Sequence, residues 1–160
     1  MDIINEIMLD KIDLEILRLL QENARISNAE LARELGMVPS GMLERVKKLE
    51  QKNVILHYHT RINPVALNQN MLAFVFLKVS PANDYKVTAT ILSDVPEIQE
   101  IHQLAGDDCY LLKIRTYDTT SLMHIMRNSI SKLPHILSTR TTIVLETVKE
   151  QQQMVIPQNK

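Results

Sequence analysis

The stretch Ser27–Leu49, SNAELARELGMVPSGMLERVKKL, decides the fold. Ser27 and Glu30 have the spacing at which each side chain satisfies a backbone N–H that a helix start leaves orphaned. Leu31 and Leu35 lie on one helical face, with Ala32 beside them. Gly36 ends this short helix, because glycine accepts the positive φ that a helix end needs. Pro39 then opens a second helix: its fixed φ suits the first turn, and the N–H it lacks would be unpaired there anyway. Leu43, Val46 and Leu49 give that helix an apolar stripe. Ser40, Met42, Arg45, Lys47 and Lys48 fall largely outside it. A short capped helix, a tight turn and a second helix with a basic outer face describe a helix-turn-helix. The bland alternative is a packed helix pair, since most such hairpins bind no nucleic acid.

Upstream, Leu9, Ile12, Ile16 and Leu20 predict an amphipathic helix over 9–22, widened by Leu17 and Leu19. Asp10 or Asp13 near its start suits the positive end of the helix dipole. The three helices predict a compact tri-helical or winged-helix unit over 1–53. Downstream, Val54–Ile62 is rich in β-branched and aromatic residues and reads as a strand, which Asn63-Pro64 breaks. Residues 54–72 are therefore expected to be a strand hinge between domains.

Beyond the hinge, strands are expected over 72–79 (LAFVFLKV), 97–104, 109–116 (CYLLKIRT) and 139–148 (TRTTIVLETV), and helices over 84–93 and 119–132. The order β-α-β-β-α-β is the ferredoxin-like pattern, which makes the chain α+β. That domain is expected over 73–150, and the polar, Gln-rich tail 151–160 is expected to be mobile. Its helices would cover one sheet face. Residues 72–79 are apolar on both alternating sides, and Ile143, Val144 and Leu145 continue the pattern. An open apolar face implies a partner, most simply a second copy.

Composition bounds the class. The chain has 160 residues, of which 45% are hydrophobic, enough for a sizeable core. Its one cysteine, Cys109, allows no internal disulfide and suits a reducing compartment. The start MDIINEIMLDKID lacks the basic and long apolar regions of a signal peptide, and no run is long enough to span a bilayer. A cytoplasmic protein with no membrane role is expected. The net charge of −1 does not favour nucleic acid. However, the acids concentrate before Gly36, while Arg45, Lys47, Lys48 and Lys52 cluster after it. Such a local patch can hold phosphates, and a dimer would double the contacts.

The landmarks together resemble the Lrp/AsnC family, the leucine- and asparagine-responsive regulators of bacteria and archaea. LDKIDLEILRLLQENARIS (Leu9–Ser27) resembles the family's opening helix and capping turn, LERVKKLEQKNVI (Leu43–Ile55) its recognition helix and exit, and GDDCYLLKI (Gly106–Ile114) its Gly-Asp-x-Asp-Tyr-Leu-Leu segment. The likeness spans about residues 9–150. It implies a regulator that binds double-stranded DNA, assembles as homodimers into tetramers or octamers, and takes a small effector, most simply an amino acid, between subunits. Val38 stands where the family carries a serine cap, Gly41 lies early in the recognition helix, and Cys109 replaces an aspartate.

The residues expected at DNA are Ser40, Gly41, Met42, Glu44, Arg45, Lys47 and Lys48. Arg45 is the candidate base reader, since Arg can pair bidentately with guanine. Lys47 and Lys48 would hold phosphates, Met42 would touch a thymine methyl or pack, and Glu44 could pair with Lys48 instead. Around the effector the resemblance implies Gln103, Leu104, Gly106, Asp107, Asp108, Thr119, Thr142 and Ile143. An ordinary turn would explain Gly106-Asp107-Asp108 equally. His57 and His59 share a strand face, but two ligands make no metal site. No metal or cofactor is expected. Without a P-loop or a Gly-rich dinucleotide turn, an enzymatic or small-molecule-binding ferredoxin-like protein with an idle helix pair is the lesser alternative. A helix pair that recruits protein is another.

Overall fold

The computed structural model describes residues 8–82, 84–107 and 109–157. The chain forms two compact units, one made of Met1–Arg61 with Glu150–Lys160, the other of Ile62–Lys149.

In the first unit α1 spans Lys11–Glu22, α2 Asn28–Glu34 and α3 Pro39–Gln51. Asp10 caps α1: the Asp13 amide donates to Asp10 Oδ1 at 2.8 Å, and the Asp10 amide donates back to Asp13 Oδ2 at 3.2 Å. Ser27 and Glu30 make the same reciprocal pair at the start of α2. Gly36 turns the chain at φ +64°, the left-handed region that glycine enters without strain. Ile16, Leu20, Leu31, Ala32, Met42, Val46 and Leu49 form the core. Fully burying a side chain such as Ile16 or Leu31 contributes about 2 kcal/mol.

Two expectations fail in this unit. The buried stripe of α3 is Met42, Val46 and Leu49, and Leu43 is 41% exposed. Both sets fit helical spacing; the packing against α1 and α2 selects the one containing Met42. Residues 54–62 form no ladder among the described residues. The amides of Val54 and Ile55 both donate to Leu49 O, and those two side chains pack on the core. Beyond them Leu56, Tyr58 and Ile62 are exposed. β-Branched composition favours extended chain, but a strand needs a neighbouring strand to exchange hydrogen bonds with. The tail is also placed. Gln21 Nε2 donates to Met154 O at 3.0 Å, and Gln153 Nε2 donates to Gln21 O at 2.9 Å. The Met154 amide completes the contact by donating to Gln21 Oε1 at 2.6 Å.

The second unit opens with a tight turn, Pro64–Leu67, capped by Asn63. Then follow β1 Met71–Val79, α4 Tyr85–Ser93, β2 Ile98–Gln103, β3 Tyr110–Thr116, α5 Thr119–Ile125 and β4 Ile136–Ile143. The antiparallel sheet has the order β2-β3-β1-β4, the ferredoxin-like topology. The helix expected to run to residue 132 narrows to α5 and a wider turn, Met126–Ile130. β4 begins three residues early and ends at Ile143, because Ile136 pairs with Val79 directly after His135, whose φ is +67°. Ala73, Val75, Leu77, Val79, Tyr110, Leu112 and Ile114 meet Leu92, Leu122, Ile125 and Ile130 in the core. The alternate residues of β1, Phe74 and Phe76, are half-buried on the opposite sheet face.

Candidate DNA-binding and effector sites

The outer arc of α3 carries Ser40, Glu44, Lys47 and Lys48, all exposed. Glu44 makes no ion pair with Lys48 among the described residues. Val38 occupies the cap position and offers no side-chain acceptor, so the first-turn amide of Ser40 stays unpaired by a cap. Gly41 is not there for a strained φ: a Cβ at this position would meet only Val38 Cγ2 at 3.5 Å and Met37 Cε at 3.6 Å, ordinary contacts.

Two residues expected on this arc are elsewhere. Met42 is fully buried among α1 and α2 and cannot reach a base. Arg45 turns toward the start of α1, where its Nη1 donates to Asp10 Oδ2 at 2.7 Å and Asp13 Oδ1 at 2.8 Å. The Asp13 amide first, then Arg45, holds the Asp10 carboxyl below its ordinary range. The carboxylates raise the Arg45 pKa in turn. These acids lie more than thirty positions upstream, and only their Asp-x-x-Asp spacing could have hinted that they act together. The far end of α3 is tied to the extended segment after it: Tyr58 Oη donates to Glu50 Oε1 at 3.0 Å. Partial burial, then Glu50, pushes the Tyr58 hydroxyl up to about 12. His57 and His59 stand with ring centroids 5.6 Å apart.

In the second unit the effector candidates divide into two groups. Gln103, Leu104, Gly106 and Asp107 surround the turn between β2 and β3; Asp108 lies outside the described residues. Gly106 takes φ +155°. Half-buried Cys109 places its Sγ 3.8 Å from Val79 O, a small side chain packed at the strand start. Thr119 follows the other end of β3, and Ile143 pairs with Ala73 near that same end, with Thr142 next to it opposite Phe74. Thr119 lies past the far end of β3 from this turn, and β1 and β3 stand between β4, which carries Thr142 and Ile143, and β2, which carries Gln103, so one copy does not bring the groups together.

The open face of the sheet carries features that the sequence did not announce. Phe74 and Phe76 run down its middle, and the Arg140 guanidinium lies 3.9 Å from the Phe76 ring centroid. Lys113, nearly buried, donates to Glu100 Oε1 at 2.9 Å, and His102 Nε2 lies 3.2 Å from Glu100 Oε2. Lys113 holds the Glu100 carboxyl below its ordinary range. The Lys113 and His102 contacts offset the desolvation cost of setting the Glu100 carboxylate into the sheet face.

Two family models match the chain. Residues 9–55 match the winged helix-turn-helix DNA-binding model, and residues 72–154 match the Lrp/AsnC ligand binding domain. The leucine-responsive regulatory protein of Escherichia coli (strain K12) is 37% identical over 150 residues, covering 92% of each chain. A transcriptional regulator of Neisseria meningitidis, solved as its L-Met complex, superposes with a TM-score of 0.85 at 28% identity, covering 92% of this chain and 97% of that one. AsnC of Escherichia coli gives 0.83 at 28% identity, covering 94% and 99%. No described helix is long and apolar enough to cross a membrane. The chain belongs to the Lrp/AsnC family and is a DNA-binding transcriptional regulator with a ligand-binding domain.

Proposed function

We propose that the chain regulates transcription as a homodimer, or as a tetramer or octamer assembled from such dimers, that lays two α3 helices on double-stranded DNA and responds to an amino acid. The observations that carry this are the exposed basic arc on α3 and the open sheet face, where half-buried Phe74 and Phe76 lie among Glu100, His102, Lys113 and Arg140. One short helix on a near-neutral chain makes few phosphate contacts, so tight binding calls for two. Lys47 and Lys48 hold phosphates, while Ser40, Gly41 and Glu44 lie nearest the bases. The effector contacts are Gln103, Leu104, Gly106, Asp107 and Asp108 from one copy, with Thr119, Thr142 and Ile143 from another. Their separation within one copy favours a pocket shared between copies. The relatives support an amino acid: one is leucine-responsive, and another was solved with L-Met.

Two measurements test the reading. Duplex DNA titrated at two salt concentrations should bind tightly and weaken steeply as salt rises; salt-independent or absent binding overturns it. Unfolding followed against each proteinogenic amino acid should show a midpoint shift for at least one class, since a ligand bound to the folded state stabilises it by mass action. No shift from any of them overturns the amino-acid assignment.

A further inference from the structure

Two large apolar side chains bracket the leading end of α3 and are not part of the buried core. Val38, at the cap position, is 67% exposed, and Leu43, in the second turn, is 41% exposed. A single exposed aliphatic residue needs no explanation. These two differ in their setting. Leu43 sits between Ser40, three residues before it, and Lys47, four residues after it, on the outward half of the helix. Val38 lies over Gly41, whose missing side chain leaves the Val38 methyls uncovered from that side. The cations Lys47 and Lys48 follow within the next turn.

We propose that Val38 and Leu43 are specificity-determining residues that read thymine methyl groups in the major groove. The occupant follows from chemistry. The first residues of a recognition helix meet base edges. An aliphatic side chain has no hydrogen bond to offer, and the apolar group that a base presents in the major groove is the C5-methyl of thymine. The neighbouring lysines match the charge of the backbone on either side. Met42, the residue that sequence alone offers for a thymine methyl, lies in the core, and the Arg45 guanidinium is paired with Asp10 and Asp13. Val38 and Leu43 take the methyl-reading role that Met42 leaves open, beside Ser40, Gly41 and Glu44. This inference rests on the DNA-binding reading.

The test uses the full chain and a duplex selected from a random pool. Each thymine of the selected site is replaced in turn by uracil, which removes only the methyl group, and affinity is measured at fixed salt. At one or more positions of each half-site, uracil should weaken the wild type about fourfold, the factor that burying one methylene-sized group carries. Leu43→Ala or Val38→Ala should lose about the same factor on the thymine duplex and become indifferent to uracil at its own position. Both residues are exposed, so unfolding midpoints should match the wild type, and Leu43→Met should keep the sensitivity. If no uracil weakens the wild type, or if both alanine variants retain its full pattern of losses, the inference is overturned. A protein that selects no sequence from the pool overturns it together with the sequence-specific reading, which separates the two failures.

Discussion

Arg45 and Asp10 are joined across the helix-turn-helix by a 2.7 Å ion pair that fastens α3 to the start of α1. With Asp13 at 2.8 Å, one guanidinium nitrogen serves two carboxylates. Arg45→Ala should destabilise the first unit by about 1 kcal/mol, the upper range for a partly exposed pair, and by less at high salt. Denaturant unfolding measures this. DNA affinity should fall evenly across sequences. Unchanged stability with relaxed preference at one base pair would return Arg45 to the bases.

Lys47 and Lys48 are exposed on the arc of α3. Lys47→Ala and Lys48→Ala should each weaken binding to every duplex alike and reduce the slope of log affinity against log salt by about 1. A slope equal to that of the wild type would place the lysine away from the phosphates.

Phe76 stands on the open sheet face under Arg140. Phe76→Lys puts a second cation beside Arg140 where two copies would meet and should shift the assembly toward monomer in sedimentation velocity, with loss of tight DNA binding. Retention of the wild-type assembly would move the interface elsewhere.

Gln21 engages both Gln153 and Met154. Truncation after residue 152 should lower the stability of the first unit by about 1 kcal/mol, the net value of a typical hydrogen bond. Gln21→Ala should produce a similar loss. Amide exchange at Met154 reports the docking directly; an unprotected amide there contradicts it.

Acid should loosen both units. The carboxyls of Asp10 and Glu100 are held below their ordinary values, 3.8 and 4.5. A lowered folded value means stability that is present above the unfolded value and lost as pH falls through the folded one. These two groups should therefore leave the unfolding midpoint level from pH 7 to 5 and lower it below about pH 4.5. Asp10→Asn should show a shallower acid branch; an unchanged branch would sink the assignment.

What could be read from the sequence was what short-range chemistry fixes. Ser27 with Glu30, Gly36 and Pro39 are each other's neighbours, and their backbone preferences bound α2 and α3 to within a residue. Alternating and helical periods likewise found all four strands and both helices of the second unit. The failures involve distant partners. Met42 and Leu43 are adjacent, and each completes a helical stripe with Val46 and Leu49; the face that is buried depends on α1 and α2. The ion pairs of Arg45 depend on Asp10 and Asp13 in the first helix, which no local pattern around Arg45 announces. Residues 54–62 have strand composition without a strand to pair with. The tail carries no periodicity at all, and its position depends on distant contacts, Gln21 in α1 among them.

That glutamine changes the topology of the regulator. Because Gln153 and Met154 return to the unit that holds Gln21, the ligand-binding unit is spliced into the DNA-binding one rather than hung from its end. The reader of DNA is thus leashed twice, once by the peptide that leaves it and once by the peptide that comes back. A protease that cuts either leash alone would leave the pieces travelling together until the clasp at Gln21 lets go.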